Sequence, residues 1–124
     1  MTFEVPLFES GAYISKAGMP VLKALGAKLK GLEGGTVLVT GYTDNVPLSR
    51  PTKEFNSNAD VAAARAEVAA DHLRAFAKNS KLSFSTAAGA ESEAPWPNDT
   101  VEHRRLNRTA VVKVVPGVNG EGEF

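Results

Sequence analysis

At 124 residues, with 14 Lys+Arg against 14 Asp+Glu and no cysteine, the chain reads as one domain able to bury its own core. The missing cysteines exclude a disulfide framework, a Cys-based metal site and a thiol nucleophile. Zero formal charge argues against a nucleic-acid binder and against a polybasic membrane-surface module.

The predicted elements run β-α-β-α-β-α-β. Phe3, Val5 and Leu7 alternate with Glu4 and Pro6, which gives a short strand over 3–8; Pro6 confines it to an edge. Val21, Leu22, Leu25 and Leu29 share one face of a helix over 20–30, with Pro20 in the first turn and Gly34-Gly35 beyond the end. The β-branched run 36–40 is a central strand. A long polar loop, 43–58, carries Pro47 and Pro51; loops of this length in a compact domain are usually functional or disordered. A second helix over 59–78 has Val61, Ala64, Val68, Leu73 and Phe76 as its stripe, with Ser57 and Asn58 as candidate caps and Asp60 at its positive end. A strand over 82–86, a short helix over 100–106 capped by Asp99 or Thr100, and a strand over 110–115 complete the order. This is an α/β (α+β sandwich) pattern, with helices packed on a mixed four-stranded sheet. The domain is expected to span 1–115, with 116–124 a fraying tail.

No apolar run has the length of a membrane span, and Met1-Thr2-Phe3-Glu4-Val5 has neither the basic start nor the apolar core of a signal peptide. A protein working outside the cytoplasm is therefore expected to be represented here by a fragment, its export or anchoring segment lying elsewhere.

Three clusters carry polar chemistry. Gly41-Tyr42-Thr43-Asp44-Asn45 leaves the carboxyl end of the central strand, where α/β folds place ligand sites. Gly41 permits a sharp turn or a close ligand approach, and Asp44 places a carboxylate at the strand exit. Alone, these five residues read as a polar turn. In the second cluster, Asn58 to Ala66, Arg65 borders the apolar stripe and can reach back over the helix start. Alone, it reads as a snorkelling surface arginine or a structural partner for Asp44. The third cluster, Thr100 to Arg108, is a short basic stretch without aromatics, and a solvated or locally paired face accounts for it. His72 and His103 lack metal-ligand spacing, and no serine-hydrolase elbow, zinc-protease or phosphate-loop motif occurs. No metal, no cofactor and no catalysis are expected.

Together the clusters resemble the OmpA/MotB C-terminal domain family. The strand-end element G-[HFY]-T-D-x is Gly41 to Asn45, and N-x-x-L-S-x-x-R-A is Asn58 to Ala66, with Val61 for Leu and Ala62 for Ser. The late stretch P…N-x-T-x-E-G-R-x-x-N-R-R is carried by Pro95, Asn98, Thr100, Glu102, Arg104, Asn107 and Arg108; His103 replaces the Gly and Thr109 the last Arg. Leu7-Phe8-Glu9-Ser10-Gly11-Ala12 resembles the F-[DE]-S-G-[SA] opening. The intervening loop is longer than in porin-type members and resembles the flagellar-stator and type VI secretion anchor branch.

The resemblance implies non-catalytic binding of peptidoglycan through the diaminopimelate of its stem peptide. It implies a periplasmic setting and a membrane-anchored parent protein, with no membrane insertion by this fragment. Asp44 is expected to take the ligand ammonium and Arg65 its carboxylate by two parallel hydrogen bonds. The adjacent helix N-terminus favours the same anion. Asn58 and Thr43 are expected to orient the ligand, with further contacts from the Gly11 backbone, Arg104 and Asn107; Arg104 and Arg108 read equally well as structural ties to the sheet. Two alternatives stay open: a domain of this fold that has lost wall binding and serves assembly or homodimerisation, and a small-ligand enzyme, for which no base is evident near Thr43 or Ser49.

Overall fold

The centre of the molecule is the strand β3, Gly35–Tyr42. Its β-branched residues alternate between two faces, so Val37 and Val39 are buried against helices while Thr36, Leu38 and Thr40 are half-buried on the other side. It pairs in parallel with β4, Leu82–Ala88, from Gly35↔Leu82 to Gly41↔Ala88. On its other edge it pairs antiparallel with β5, Thr109–Pro116, from Tyr42↔Thr109 to Gly35↔Pro116. A parallel pair needs a crossover, and the helix α2, Asn58–Ala77, supplies it. The structure is a computed structural model and describes residues 7–10, 12–43, 57–89 and 94–116.

Among these residues the order is β-β-α-β-α-β-α-β, with β1 at Phe8–Ser10, β2 at Tyr13–Ile14, α1 at Gly18–Lys30 and α3 at Val101–Leu106. The expected α/β class holds; among the described residues the sheet has three strands, β4-β3-β5, and the expected fourth is not seen among them. Most of the strand expected over 3–8 lies outside the described residues. Its described end, Phe8, belongs to a two-stranded hairpin with β2 that sequence alternation did not reveal, since β2 is two residues long. A backbone bond, Phe8 N–H to the Arg108 carbonyl at 3.1 Å, ties this hairpin to the residue preceding β5.

Leu22, Leu25 and Leu29 of α1 are buried, as their spacing predicts, and Val21 packs beside them half-buried. They join Leu73 and Ala77 of α2 with Val37, Val39, Leu82 and Val112 of the sheet. Each fully buried leucine contributes about 1.5–3 kcal/mol by transfer out of water. The stripe predicted for α2 is corrected. Its buried face is Val61, Ala62, Arg65, Ala66, Ala69, Ala70, Leu73 and Ala77, while Ala64, Val68 and Phe76 flank it half-buried. Val61 and Leu73 of the predicted stripe are buried; between them the inner face is mostly alanine, which lets the helix lie close to the strand at Gly41.

Ser57 caps α2, its Oγ accepting from the Asp60 N–H at 3.3 Å, and Asn58 is the first helical residue. Thr100 caps α3 in the same way, accepting from the His103 N–H at 3.0 Å. Asn79, just past α2, donates its Nδ2 to the carbonyls of Leu29 at 3.1 Å and Leu32 at 2.8 Å. It thereby satisfies groups that the end of α1 leaves without helical partners.

Candidate functional site

The carboxyl end of β3 gathers the site, because the start of α2, the end of β4, the hairpin and the beginning of β5 all meet there. Gly41 decides how closely. A Cβ built on Gly41 would stand 1.9 Å from the Ala62 carbonyl oxygen and 2.8 Å from the Ala66 amide nitrogen. The motif glycine lies within the strand and lets the second turn of α2 rest on it. Ala62, where the family pattern has serine, is 1% exposed in that contact.

Arg65 occupies the turn that Gly41 admits. A helical side chain leans toward the helix N-terminus, so Arg65 projects over the end of β3. Its Nη1 donates to the Tyr42 carbonyl oxygen at 2.9 Å, and its guanidinium carbon lies 5.5 Å from the centre of the Phe8 ring. At 5% exposure it is no snorkelling surface residue. Burying a guanidinium is costly unless its hydrogen bonds are met, and the Tyr42 carbonyl meets one of them. Thr43, the next residue beyond the strand, is buried beside it at 6% exposure.

The other expected site residues divide. Asp44 and Gly11 lie outside the described residues. Asn58 opens α2, half-buried in its first turn. Arg104 is half-buried on α3 and makes no side-chain hydrogen bond or ion pair among the described residues. Asn107 is different: it is fully buried, and its amide holds the preceding loop. Its Oδ1 accepts from the Trp96 N–H at 2.9 Å, while Nδ2 donates to the Trp96 carbonyl and to Asn98 Oδ1, both at 2.8 Å. That geometry makes Asn107 a scaffold for the loop rather than a surface contact.

Two features escaped sequence reasoning. One is the Phe8 ring beneath Arg65, visible in sequence only as the first residue of a family-like opening. The other is the stack of Trp96 on His103, with ring centres 5.5 Å apart and planes 19° from parallel. His103 Nδ1 also donates to Asp99 Oδ1 at 2.6 Å. This bond, first among several influences, holds the exposed Asp99 carboxyl below the ordinary carboxylate range. The histidine that departs from the family's glycine is thus built into the loop. Among the described residues no group of three or more His, Asp or Glu side chains is placed to hold a metal ion, and no helix is long and apolar enough to cross a membrane.

The fold, with a buried arginine set over the end of the central strand, is similar to that of OmpA/MotB C-terminal-like domains, to which its structural neighbours belong. Solved structures carry the comparison further. The C-terminal domain of Helicobacter pylori MotB is 25% identical, with a TM-score of 0.75, and the match covers 95% of this chain and 89% of that one. The cell wall anchor of the T6SS from Pseudomonas aeruginosa is 28% identical, with a TM-score of 0.70, covering 92% of this chain and 76% of that one. The periplasmic domain of H. pylori MotB is 26% identical at a TM-score of 0.72, covering 92% and 79%. These neighbours come from the stator and type VI secretion branch that the loop length resembled. No protein-family model matches the chain, and no curated protein sequence matches it.

Proposed function

We propose that this domain binds peptidoglycan without cleaving it and so fastens a larger cell-envelope protein to the wall from the periplasm. The observation that carries the reading is Arg65, buried at 5% exposure over the end of β3, in a fold shared with a cell wall anchor. A buried, oriented guanidinium suits a planar anion, which it can hold by two parallel hydrogen bonds. The free end of a diaminopimelate side chain presents such a carboxylate beside an ammonium. Arg65 takes the carboxylate in this reading, and Asp44, three residues past Gly41, takes the ammonium. Thr43 and Asn58 orient the pair, and the Gly11 backbone and Arg104 make outer contacts. Asn107 acts at one remove, by holding the loop that carries Trp96. No covalent step is involved.

Pull-down on diaminopimelate-type sacculi tests this, with native chain, Asp44→Ala and Arg65→Ala compared at equal folding. Binding by the native chain and its loss in both variants is the expected result. Binding that survives both substitutions would move the site elsewhere on the domain. A folded native chain that leaves the sacculi empty-handed would favour the assembly-module reading.

A further inference from the structure

An open sheet has two edges. Beside the edge at β5 stands the hairpin, tied there by the Phe8 N–H on the Arg108 carbonyl. The other edge is β4, Leu82–Ala88, whose register with β3 runs unbroken from Gly35↔Leu82 to Gly41↔Ala88. The Gly89 N–H donates to the Gly41 carbonyl at 2.8 Å, so by alternation Ser83, Ser85 and Ala87 turn their backbone groups to β3. Leu82, Phe84, Thr86 and Ala88 turn theirs outward. The Leu82 N–H is met by the Asn79 carbonyl at 3.2 Å; the amides of Phe84, Thr86 and Ala88 have no partner among the described residues. Chains usually protect such an edge with lysine, proline, a bulge or brevity. β4 is 7 residues long, regular, uncharged and without proline.

The side chains above the edge select what would pair with it. On the helix-facing side, the Arg74 guanidinium carbon lies 5.0 Å from the centre of the Phe84 ring, and the Thr86 hydroxyl donates to Glu67. Arg74 and Glu67 are both exposed, so a cation and an anion stand side by side over the edge. Consider a second, antiparallel β4 bonded to the outward groups. Centred on Phe84, the pair would set Arg74 against Arg74; centred on Thr86, it would set Glu67 against Glu67. Centred on Ser85, it puts Phe84 opposite Thr86 and Arg74 opposite Glu67, once on each side of the two-fold axis. Opposed residues of an antiparallel pair share a face, so both α2 helices lie on one side. Each α2 packs on β3 and β4 together, which sets the two helices about 10 Å apart, a spacing at which helices pack without clashing.

We propose that the β4 edge is the docking surface for a second copy of this chain: two β4 strands pair antiparallel about Ser85, joining the sheets in the order β5-β3-β4-β4-β3-β5, with reciprocal Arg74–Glu67 ion pairs setting the register. Arg74 keeps its 2.8 Å bond to Asp71 on its own helix and adds Glu67 of the second copy. The inference uses nothing of Arg65 and stands apart from the wall-binding reading.

Sedimentation equilibrium of the whole chain, from micromolar to millimolar concentration, tests this. The native chain is run beside Arg74→Glu, Glu67→Arg, the two reversals combined, and Thr86→Pro, each checked for folding by thermal unfolding. The native chain is expected to dimerise. Each single reversal is expected to weaken the dimer about 10-fold or more, since like charges then face each other on both sides of the axis. The combined reversal is expected to return it to within about 3-fold of native, because the same pairs re-form with their signs exchanged. Thr86→Pro removes an outward N–H and no bond to β3, and is expected to abolish the dimer. In the native chain, the amides of Phe84, Thr86 and Ala88 should exchange with deuterium more slowly as concentration rises. A native chain that stays monomeric at millimolar concentration would overturn the proposal and leave the edge to a strand of another protein. A combined reversal no tighter than the single ones would overturn it too, and so would a dimer that a folded Thr86→Pro leaves intact. Should Thr86→Pro fail to fold, the charge reversals alone decide.

Discussion

Where α2 meets the carboxyl end of β3, backbone rests almost directly on backbone. Gly41 meets the backbone of Ala62 and Ala66 there, and Arg65 reaches over the strand end to the Tyr42 carbonyl. Where residues 94–100 meet α3, side chains do nearly everything. Asn107 ties down Trp96 and Asn98, His103 stacks on Trp96 and bonds Asp99, and Thr100 caps the helix. Both regions lie toward the same end of the sheet, since Tyr42 pairs with Thr109 and Asn107 stands two residues before it. The first tolerates no added atoms; the second tolerates no lost ones. The difference suggests why the candidate ligand group sits on the first. Backbone packing fixes a helix to within tenths of an ångström, and an arginine growing from it inherits that precision.

The sharpest way to break the first region is to add a methyl or more at position 41. Gly41→Val would force the helix from the strand against a backbone carbonyl 1.9 Å from the new Cβ, a neighbour that cannot rotate aside. A loss of about 3 kcal/mol or more is expected in denaturant unfolding, at the upper end of overpacking costs. Arg65 would be carried off Tyr42 in whatever folded fraction remained. Asn107→Ala attacks the second region by deletion. Three hydrogen bonds go and the Trp96 backbone is left unmet, which is expected to cost about 1–3 kcal/mol. Because Trp96 is the single tryptophan, its emission should shift to the red as the loop loosens, while the α2–β3 contact keeps Arg65 in place. Equal loss of Arg65 order in both variants would dissolve the distinction between the regions.

The contrast also explains what could be read from sequence. Leucine spacing located α1 and β-branched runs located β3 and β5, because burial of large side chains leaves a periodic mark. The face of α2 is legible only at Val61 and Leu73, since alanine carries little hydropathy signal, yet alanine is what a helix presents when glycine on the strand lets it close in. Gly41 and Arg65 stood out through their motif, but the reason for the glycine lay in a neighbour 21 residues on, Ala62, which no local pattern exposes. Phe8 under Arg65 is likewise a contact across 57 positions. The fourth strand was expected over residues that lie largely outside the described ones, and Asp44 and Gly11 share that position.

Smaller perturbations sharpen the comparison from either side. Ser57→Ala removes the hydroxyl that accepts from Asp60 N–H at the start of α2. A loss of about 1 kcal/mol is expected by thermal unfolding, the usual worth of such a cap. Tertiary contact, rather than the cap, sets where Arg65 points, so sacculus binding should change much less than stability does.

The smallest expected effect is a pH dependence confined to the second region. Asp99 titrates below the ordinary carboxylate range when folded, because its carboxylate accepts from His103. A depressed folded pKa means that the unfolded chain binds the proton more readily. The stabilisation is therefore whole above the unfolded value, near pH 4, and drains away as the pH falls through the lower folded value. The pair is solvent-exposed, with side-chain exposures of 33% for His103 and 59% for Asp99, so screening keeps the contribution small. Asp99→Asn should flatten the acid limb of the melting-temperature profile, and Trp96 emission should report the change because its ring stacks on His103. Above pH 5 the variant should differ from native by a constant offset only. If the acid limbs of native and variant coincided, the loop would be held by Asn107 and by the stack of His103 on Trp96, with no contribution from the bond to Asp99.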